Sequence, residues 1–333
     1  MASLLALRQS AAILSPVPRK ARSGQSVYEL VFGDSRTWLQ RAKPNSIHAI
    51  VTDPPYGVRE FDAEQVEKMR SENGGVWRVK MKIGGHDRKL LPRFTDLSPE
   101  ERREIRPFFA EFGELFERVL VPGGHVVIAS SPLLAHYVSE AFEESGLEVR
   151  GSIIRVLRTL RGGFKPKGAE EEFPFVSTIP RGCWEPWLLF RKPFDGTLSA
   201  NLRKYGAGGL RRISADRPMM DLIASGLATP EEREVAPHPT LKPQGFLRLM
   251  VRAVTPMGRG VVLDPFMGSG STVAACENQG LTGIGIESDR TFYAMAKEAV
   301  PKLASLDVPL AGSWDDVKLA MNGDTQLHLG DGA

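Results

Sequence analysis

Apolar and polar positions fall into a repeating pattern of strands and helices from residue 47 onward. Short continuous apolar runs, such as the one at 47–52, predict strands that are buried on both faces. Longer stretches with apolar positions three or four residues apart, such as 106–120, predict amphipathic helices. Further strands are predicted at 125–129, 147–157, 186–190, 260–263 and 283–286, and further helices at 133–144, 245–254, 271–277 and 290–299.

The alternation of these elements predicts the fold class. Strands separated by helices of this length form a doubly wound, mostly parallel sheet with helices on both faces, which is a Rossmann-like α/β fold. The strand at 186–190 is predicted to be antiparallel. Ligands of such sheets bind outside the carboxyl ends of the strands, and Asp53, Asp264 and Glu287 each follow or end a predicted strand.

Two segments depart from the alternation, a basic and glycine-broken segment at 59–99 and a second one at 194–237. Irregular segments longer than about 15 residues within a compact domain commonly serve as lids or binding segments. We therefore expect both to be insertions at the rim of the sheet. Residues 1–26 contain no acid and four basic residues, a composition that fits a disordered basic arm or an organelle transit peptide.

Composition restricts the class of protein. The chain has 333 residues, of which 42% are hydrophobic and 25% charged, as in a globular protein that is large enough to bury its own core. Cys183 and Cys276 are predicted to be buried thiols with no disulfide or metal role, which favours a reducing cytoplasm. No apolar run reaches the roughly 18 residues of a membrane span, so we expect no membrane partner.

Charge adds a candidate partner. The formal net charge of +3 is too small to indicate nucleic-acid binding by itself, but basic residues are clustered in segments that also contain glycines. Such loops can follow a phosphate backbone, and the alternative is an ordinary solvated surface. The predicted nucleic-acid contacts are Arg78, Lys80, Lys82, Arg203, Lys204, Arg211 and Arg212.

The later of two candidate motifs spans residues 264–272, with the sequence DPFMGSGST. Its glycines let the backbone approach a ligand, and the helix that follows offers N–H groups to a carboxylate. Glu287 lies 23 residues after Asp264 at the end of the next strand, where an acid accepts the hydroxyls of a ribose. A dinucleotide is the alternative, but position 273 is Val rather than Gly, so we expect a nucleoside cofactor with a carboxylate.

The earlier motif, at residues 53–57, has the sequence DPPYG and the parts needed to orient an exocyclic amine. Such an amine is a poor nucleophile because its lone pair is delocalised into the base, and two acceptors for its hydrogens favour a pyramidal nitrogen. Asp53 offers a carboxylate, the rigid segment of Pro54 and Pro55 offers a carbonyl, and Tyr56 offers a flat face for stacking. The simpler interpretation is a turn that follows a strand.

The two motifs, together with HPTLKP at 238–243, resemble the beta class of S-adenosylmethionine-dependent DNA amino-methyltransferases, in which the catalytic motif precedes the cofactor motif. The resemblance covers about Val31 to Leu303. It implies a circularly permuted methyltransferase fold and direct in-line methyl transfer to a base flipped out of the duplex, without a metal. In addition to catalytic Asp53, Pro54, Pro55 and Tyr56, it implies a cofactor site made of Asp34, Asp53, Thr240, Lys242, Asp264, Pro265, Phe266, Gly268, Ser269, Gly270, Ser271, Thr272 and Glu287.

Within that site, the resemblance assigns individual roles. Asp34 is expected near the cofactor's adenine and Glu287 on its ribose. Thr240 and Lys242 are expected beside its methionine carboxylate. Phe266 is expected to close over the cofactor or the base.

The resemblance also divides the chain. A basic arm at 1–26 precedes a catalytic half at 27–193, which includes the insertion at 59–99. A target recognition region at 194–237 is followed by a cofactor-binding half at 238–304 and a polar tail at 305–333. An origin in bacteria, archaea or phages and a cytoplasmic location are implied, which favours the basic arm over a transit peptide.

Adenine N6 in duplex DNA is the expected target, because relatives that act on cytosine N4 frequently have Ser where this chain has Asp53. Cytosine N4, adenine in structured RNA and a catalytically silent DNA-binding subunit are the alternatives. A homodimer and a cognate restriction nuclease are open as further partners. Relatives often have an aromatic residue in the strand that corresponds to 153–157, and here that strand has none, which leaves the second wall of the base pocket unassigned.

Overall fold

The computed structural model describes residues 28–55, 82–83, 86–87, 99–157, 163–238 and 240–312. The expectations for residues 1–26, for Tyr56, and for Arg78 and Lys80 lie outside these residues. Only the backbone is described at 82–83, 86–87 and 99–102.

The described residues form ten strands and eight helices. The strands are β1 (Tyr28–Phe32), β2 (Ile47–Thr52), β3 (Lys82–Ile83), β4 (His86–Asp87), β5 (Leu120–Ala129), β6 (Glu148–Val156), β7 (Trp184–Arg191), β8 (Leu222–Ala224), β9 (Val261–Asp264) and β10 (Thr282–Glu287). The helices are α1 (Ser35–Arg41), α2 (Pro99–Val119), α3 (Ala135–Glu144), α4 (Leu198–Tyr205), α5 (Pro230–Val235), α6 (Gln244–Val254), α7 (Ser271–Asn278) and α8 (Arg290–Ser305).

Eight of the strands form one sheet in the order β1-β10-β9-β2-β5-β7-β6-β8. Strand β7 is antiparallel to both of its neighbours, and every other neighbouring pair is parallel. The predicted α/β fold and the predicted antiparallel strand are therefore confirmed. Strands β3 and β4 form a separate two-stranded hairpin.

The sheet is buried on both faces, which explains the continuous apolar runs in its sequence. Alternate side chains of β5 point to opposite faces, so Val126 and Ile128 pack with α2 and α3, whereas Val127 packs with α6. The α2 side is rich in phenylalanine and includes Phe112. The α6 side is centred on Trp187, which is fully buried.

The central strands bring the two motifs together. Strand β2 pairs with β9, and β9 pairs with β10, so the three carboxyl ends are neighbours in the sheet. Asp53 follows β2 directly, Asp264 ends β9 and Glu287 ends β10. The expected convergence of these three acids at one edge therefore follows from the strand order.

Several elements differ from the expectations. The pattern gave no sign of β1 and α1, and α2 begins at Pro99 rather than near 106. The segment 194–237 contains α4, β8 and α5, and β8 extends the sheet beside β6. Cys276 is buried as expected, but the expectation for Cys183 was wrong, because this residue lies in the exposed approach to β7.

Candidate active site

A cleft of about 480 Å³ opens at the carboxyl edge of the parallel strands. Both motifs contribute to it, through Asp53 and Pro55 on one side and the loop after β9 on the other. It also receives residues from the start of α1, from α2 and from the segment that leads into α6. The predicted site residues that line it are Asp34, Asp53, Pro55, Thr240, Lys242, Asp264, Pro265, Phe266, Gly268, Ser269, Ser271, Thr272 and Glu287.

Asp264 lies at the floor of the cleft and is almost fully buried. Its Oδ1 accepts hydrogen bonds from Thr52 Oγ1 at 2.7 Å and from the backbone N–H of Phe266 at 3.2 Å. Burial raises the pKa of this carboxyl to about 6, against the hydrogen bonds from Thr52, Thr272 and Phe266, which lower it. A cationic ligand in the cleft would favour the ionised form.

Glu287 holds the glycine loop in place. Its Oε2 accepts the backbone N–H of Gly268 at 2.7 Å, and its Oε1 accepts the N–H of Asp289 at 2.8 Å. Burial raises the pKa of this carboxyl. A carboxylate has about four lone-pair sites, so the same two oxygens can still accept the two hydroxyls of a ribose.

The loop requires glycine at two positions. Gly268 and Gly270 have φ angles of 53° and 84°, in the left-handed region that side chains disfavour. A Cβ on Gly270 would also lie 2.4 Å from Val300 Cγ2. Gly270 caps α7, whose first turn then points its N–H groups toward the cleft.

The start of α7 provides a test of whether a carboxylate-bearing cofactor fits. Ser271 Oγ is buried, lines the cleft and has no hydrogen-bond partner among the described residues. A buried hydroxyl without a partner is unfavourable, and the positive end of a helix attracts an anion. The donor set at α7 therefore fits the carboxylate of S-adenosylmethionine, whereas Asp264 and Glu287 fit its cationic and ribose groups.

Aromatic side chains form the walls of the cleft. Phe266 packs on Phe112 with 4.9 Å between ring centroids, so the loop after β9 is fixed to the phenylalanine-rich face of the sheet. Phe292 of α8 lines the opposite side and packs against His238, with 4.5 Å between the ring centroids. These flat apolar faces are suited to a purine ring.

Asp34 lies at the outer end of the cleft and is exposed. Its Oδ1 caps α1 by accepting the backbone N–H and the hydroxyl of Thr37, both at 2.8 Å. Ser35 donates to the carbonyl of Pro265, which ties the start of α1 to the loop after β9. Asp34 is thus fixed in orientation, and its expected place near the cofactor's adenine stays a prediction.

His238 also lines the cleft. Burial and the charge of Lys242 lower its pKa to about 4, so the imidazole is neutral at pH 7. Its Nδ1 accepts the backbone N–H of Thr240 at 3.3 Å, which assigns the proton to Nε2. Gly268 packs against the Nε2 side of the ring.

Asp53 lines the cleft, and its Oδ2 forms an ion pair with Lys242 Nζ. The same Nζ lies 3.4 Å from Glu185 Oε1. The Lys242 ammonium therefore lies between two protein carboxylates. Its expected place beside the cofactor carboxylate stays a prediction. Pro54 is buried and Pro55 is half-buried beside Asp53.

Sequence reasoning missed Glu185 and the residues that hold it. Glu185 lies on β7 opposite Arg155 of β6, and Arg155 donates to Glu185 Oε2 at 3.0 Å. Trp187 Nε1 donates to the same oxygen at 3.1 Å. The available signal was a charged residue between apolar neighbours in each strand, at Ile154-Arg155-Val156 and at Trp184-Glu185-Pro186, which is uncommon unless the charges are paired.

The predicted nucleic-acid contacts between residues 203 and 212 do not lie at the same edge of the sheet as the cleft. The loop after α4 packs on the amino-terminal part of β5, where Asn201 donates to the carbonyl of Pro122 at 2.9 Å. The N–H of Arg211 donates to the carbonyl of Ala253, near the end of α6 that is remote from Lys242. Four residues are thereby placed at the amino edge of the sheet: Arg203, Lys204, Arg211 and Arg212. Of the predicted contacts between residues 78 and 82, only the backbone of Lys82 is described, in β3.

The connection between β6 and β7 begins and ends at the same edge as the cleft. From Gly163 it forms a closed loop, with the N–H of Gly163 bonded to the carbonyl of Ile179 at 2.9 Å. Phe175 at its tip is fully exposed. The exposed large apolar residues of this connection and of the start of β7 are Phe173, Phe175, Val176, Ile179 and Trp184.

Among the residues that the structure describes, no helix combines the length and the apolar character of a membrane span. Within the same residues, no group of three or more His, Cys, Asp or Glu side chains is arranged to hold a metal ion.

Comparison with solved structures shows a shared fold. PvuII DNA methyltransferase (cytosine-N4-specific) superposes with a TM-score of 0.52 at 14% identity, covering 90% of this chain and 94% of that one. The crystal structure of the M1.HpyAVI–SAM complex gives a TM-score of 0.50 at 20% identity, covering 84% of this chain and all of that one.

Sequence comparison gives the family. Type II methyltransferase M.HindIII of Haemophilus influenzae is 26% identical over 79% of this chain and 92% of its own length. Type II methyltransferase M2.DpnII of Streptococcus pneumoniae is 25% identical over 81% of this chain and 88% of its own length. The family model described as DNA methylase matches residues 47–298, well over half of the chain. The chain therefore belongs to the N6/N4 family of S-adenosylmethionine-dependent DNA amino-methyltransferases.

Proposed function

We propose that this enzyme transfers a methyl group from S-adenosylmethionine to N6 of an adenine that is flipped out of duplex DNA. The observation that carries the proposal is that Asp53 lines the same cleft as Asp264 and Glu287. An acceptor for the amine and a site for the cofactor are thereby within one cavity. A carboxylate at position 53, rather than the hydroxyl frequent among cytosine-specific relatives, favours adenine.

The cofactor side of the cleft supports the binding half of this proposal. Glu287 would accept the ribose hydroxyls, and the start of α7 with Ser271 would hold the carboxylate. Phe266 and Phe292 would enclose the flat rings, with Asp34 at the adenine end. When bound, the cofactor supplies a methyl group that is already activated by its sulfonium.

Asp53 would perform the orienting half. Its carboxylate would accept a hydrogen bond from the target amine and direct the nitrogen lone pair toward the methyl group. As the new N–C bond forms, positive charge develops on the nitrogen, and the negative charge of Asp53 stabilises it. The C–S electron pair stays on sulfur, and the amine then loses one proton to water.

Nucleoside analysis tests the proposal directly. The purified protein is incubated with S-adenosylmethionine and mixed-sequence duplex DNA, and the digested nucleosides are measured by mass spectrometry. N6-methyladenine is the expected product. N4-methylcytosine in its place would overturn the adenine assignment, and methylation of RNA alone would overturn the substrate.

The variant Asp53→Asn tests the role of the carboxylate, since it keeps the shape and removes the charge. Loss of one stabilising group of this kind lowers kcat by about 100- to 1000-fold. The Kd for S-adenosylmethionine, measured by calorimetry, should stay within about twofold of the wild-type value, because Asp53 is on the base side of the cleft. Wild-type protein that binds the cofactor but methylates neither DNA nor RNA would indicate a silent subunit.

The similarity to Type II methyltransferases supports a role as the modification enzyme of a Type II system. The partner is then duplex DNA with a short recognition site. Digestion of the methylated DNA with a panel of restriction nucleases would identify the site through the cuts that methylation blocks. The role would be contradicted if the nucleases cut methylated and unmethylated DNA equally at every site that contains the methylated base.

A further inference from the structure

Four charged side chains form a continuous row from the base side of the cleft into the sheet. Asp53 contacts Lys242, Lys242 contacts Glu185, and Glu185 contacts Arg155. Negative and positive groups alternate along the row. Its members come from the ends of β2, β7 and β6 and from the segment before α6.

The inner end of the row is rigid. Arg155 is 3% exposed and donates to Ser225 Oγ at 3.1 Å, to the carbonyl of Gly226 at 2.8 Å and to Glu185 at 3.0 Å. Its guanidinium also lies over the ring of Phe246, 5.4 Å from the centroid. Glu185 Oε2 is therefore fixed by two donors, Arg155 and Trp187.

Fixing Oε2 leaves Glu185 Oε1 directed toward Lys242. The side chain of Lys242 is 11% exposed, and those of Asp53 and Glu185 are 21% and 16% exposed. Partly buried charges of this kind are stabilised when each has a partner, so removing one member leaves its neighbours uncompensated. The position of Lys242 is thus determined by Glu185 as well as by Asp53.

We infer that Lys242 and Glu185 are positioning residues for Asp53, with Arg155 and Trp187 as the anchor of the row. The Lys242 ammonium forms an ion pair with Oδ2 of Asp53. It thereby fixes the orientation of the carboxylate plane and keeps the carboxylate ionised for the target amine. Glu185 holds that ammonium in place while the base enters. The inference rests on the proposed function, because positioning Asp53 matters for catalysis only if Asp53 orients the target amine.

The chain offers a matched control at the other end of the same two strands. Glu148 and Arg191 are partners in the register of β6 and β7, as Arg155 and Glu185 are, and they also form an ion pair. They lie at the edge remote from the cleft. Glu148→Gln therefore removes a Glu–Arg pair from the same strands without touching the row.

Steady-state kinetics on Glu185→Gln, Lys242→Met, the double variant and Glu148→Gln test the inference. Misplacement of a reacting group by about 1 Å can cost about 100-fold, so kcat should fall by about 10- to 100-fold in both single variants. The double variant should lose no more than the worse single variant, because the two residues act through one another. The KM for DNA should stay within about twofold in every variant, the Kd for the cofactor should do so in Glu185→Gln, and Glu148→Gln should keep the wild-type kcat.

A wild-type kcat in Glu185→Gln would overturn the inference, as would losses that multiply in the double variant. A purely structural role would instead lower stability and the amount of active enzyme in Glu148→Gln and Glu185→Gln alike. Active-site titration with the cofactor separates that outcome from a true change in kcat.

A second readout does not depend on methylation. The ¹⁵N resonance of the Lys242 ammonium, assigned by its absence in Lys242→Met, should shift in Glu185→Gln and stay unchanged in Glu148→Gln. An unchanged resonance in Glu185→Gln would overturn the inference that Glu185 positions Lys242. A shifted resonance in a protein that methylates no nucleic acid would leave the row standing and refute the proposed function.

Discussion

The buried carboxyl of Asp264 makes stability depend on pH in a predictable direction. Its pKa is raised from 3.8 to about 6, chiefly by burial. Between these values the folded protein holds a proton that the unfolded chain has lost, so the free energy of unfolding falls as pH rises through this window. At about 1.36 kcal/mol per unit, the whole window corresponds to roughly 3 kcal/mol, of which about half falls between pH 5 and pH 8.

The variant Asp264→Asn isolates this effect because it keeps the shape of the side chain and cannot ionise. Urea denaturation of both proteins at pH 5, 6, 7 and 8 gives the difference in their free energies of unfolding, in which the other titrating groups cancel. Changed hydrogen bonds to Thr52 and Phe266 add a constant offset. The variant should gain roughly 1 to 2 kcal/mol relative to wild type from pH 5 to pH 8.

A difference that stays constant with pH, or one that falls, would refute the reasoning. A second variant sharpens the test. Thr52→Val removes a hydrogen bond that lowers the pKa of Asp264, so the decline in stability should move to higher pH. An unmoved decline would show that Thr52 is not the relevant donor.

Three further predictions concern other parts of the chain. Gly285→Ala should destabilise the protein by about 1 to 3 kcal/mol, because the new Cβ would lie 2.2 Å from Met267 Sδ. Gly33→Ala should be tolerated, because no atom lies within 4 Å of its new Cβ. Equal midpoints of urea denaturation for the two variants would contradict this prediction. Thr229→Ala removes the hydroxyl that caps α5 and should cost about 1 kcal/mol in the same assay, with no loss meaning that the cap is dispensable. Arg203→Ala combined with Lys204→Ala should leave DNA affinity and its salt dependence unchanged in fluorescence anisotropy, since both lie at the amino edge, and a weaker salt dependence would place DNA on that edge.

The fold and the acids of the cleft could be predicted because their signals are local. A strand buried on both faces is a continuous apolar run, and a polar residue directly after such a run must lie at the end of the strand. Asp53, Asp264 and Glu287 were found in this way. Strand β1, in contrast, lies at the edge of the sheet and is only partly buried, so its five residues lack a comparable signal.

The partners of charged residues could not be predicted because they depend on the tertiary structure. The sequence shows that Lys242 and Glu185 are charged, but 57 positions separate them, and the pairing of β7 with β5 is what brings Glu185 beside Lys242. Likewise, a basic cluster in the sequence does not reveal which edge of the sheet it joins. Arg203 and Arg211 were predicted to contact DNA, and the structure places both at the amino edge of the sheet, away from the cleft.

The order of the motifs along the chain matters little to the site, because the register of two strands sets its geometry. Strand β2 meets β9 through the partners Ala49–Val262 and Ile50–Leu263, and the Thr52–Asp264 hydrogen bond closes this contact at the carboxyl edge. A slip of one residue would turn the side chains of β2 to the opposite faces of the sheet. The relative position of Asp53 and the cofactor loop is therefore fixed in the buried centre of the sheet. The surrounding loops and insertions are then free to change which DNA reaches the cleft without disturbing the geometry of transfer.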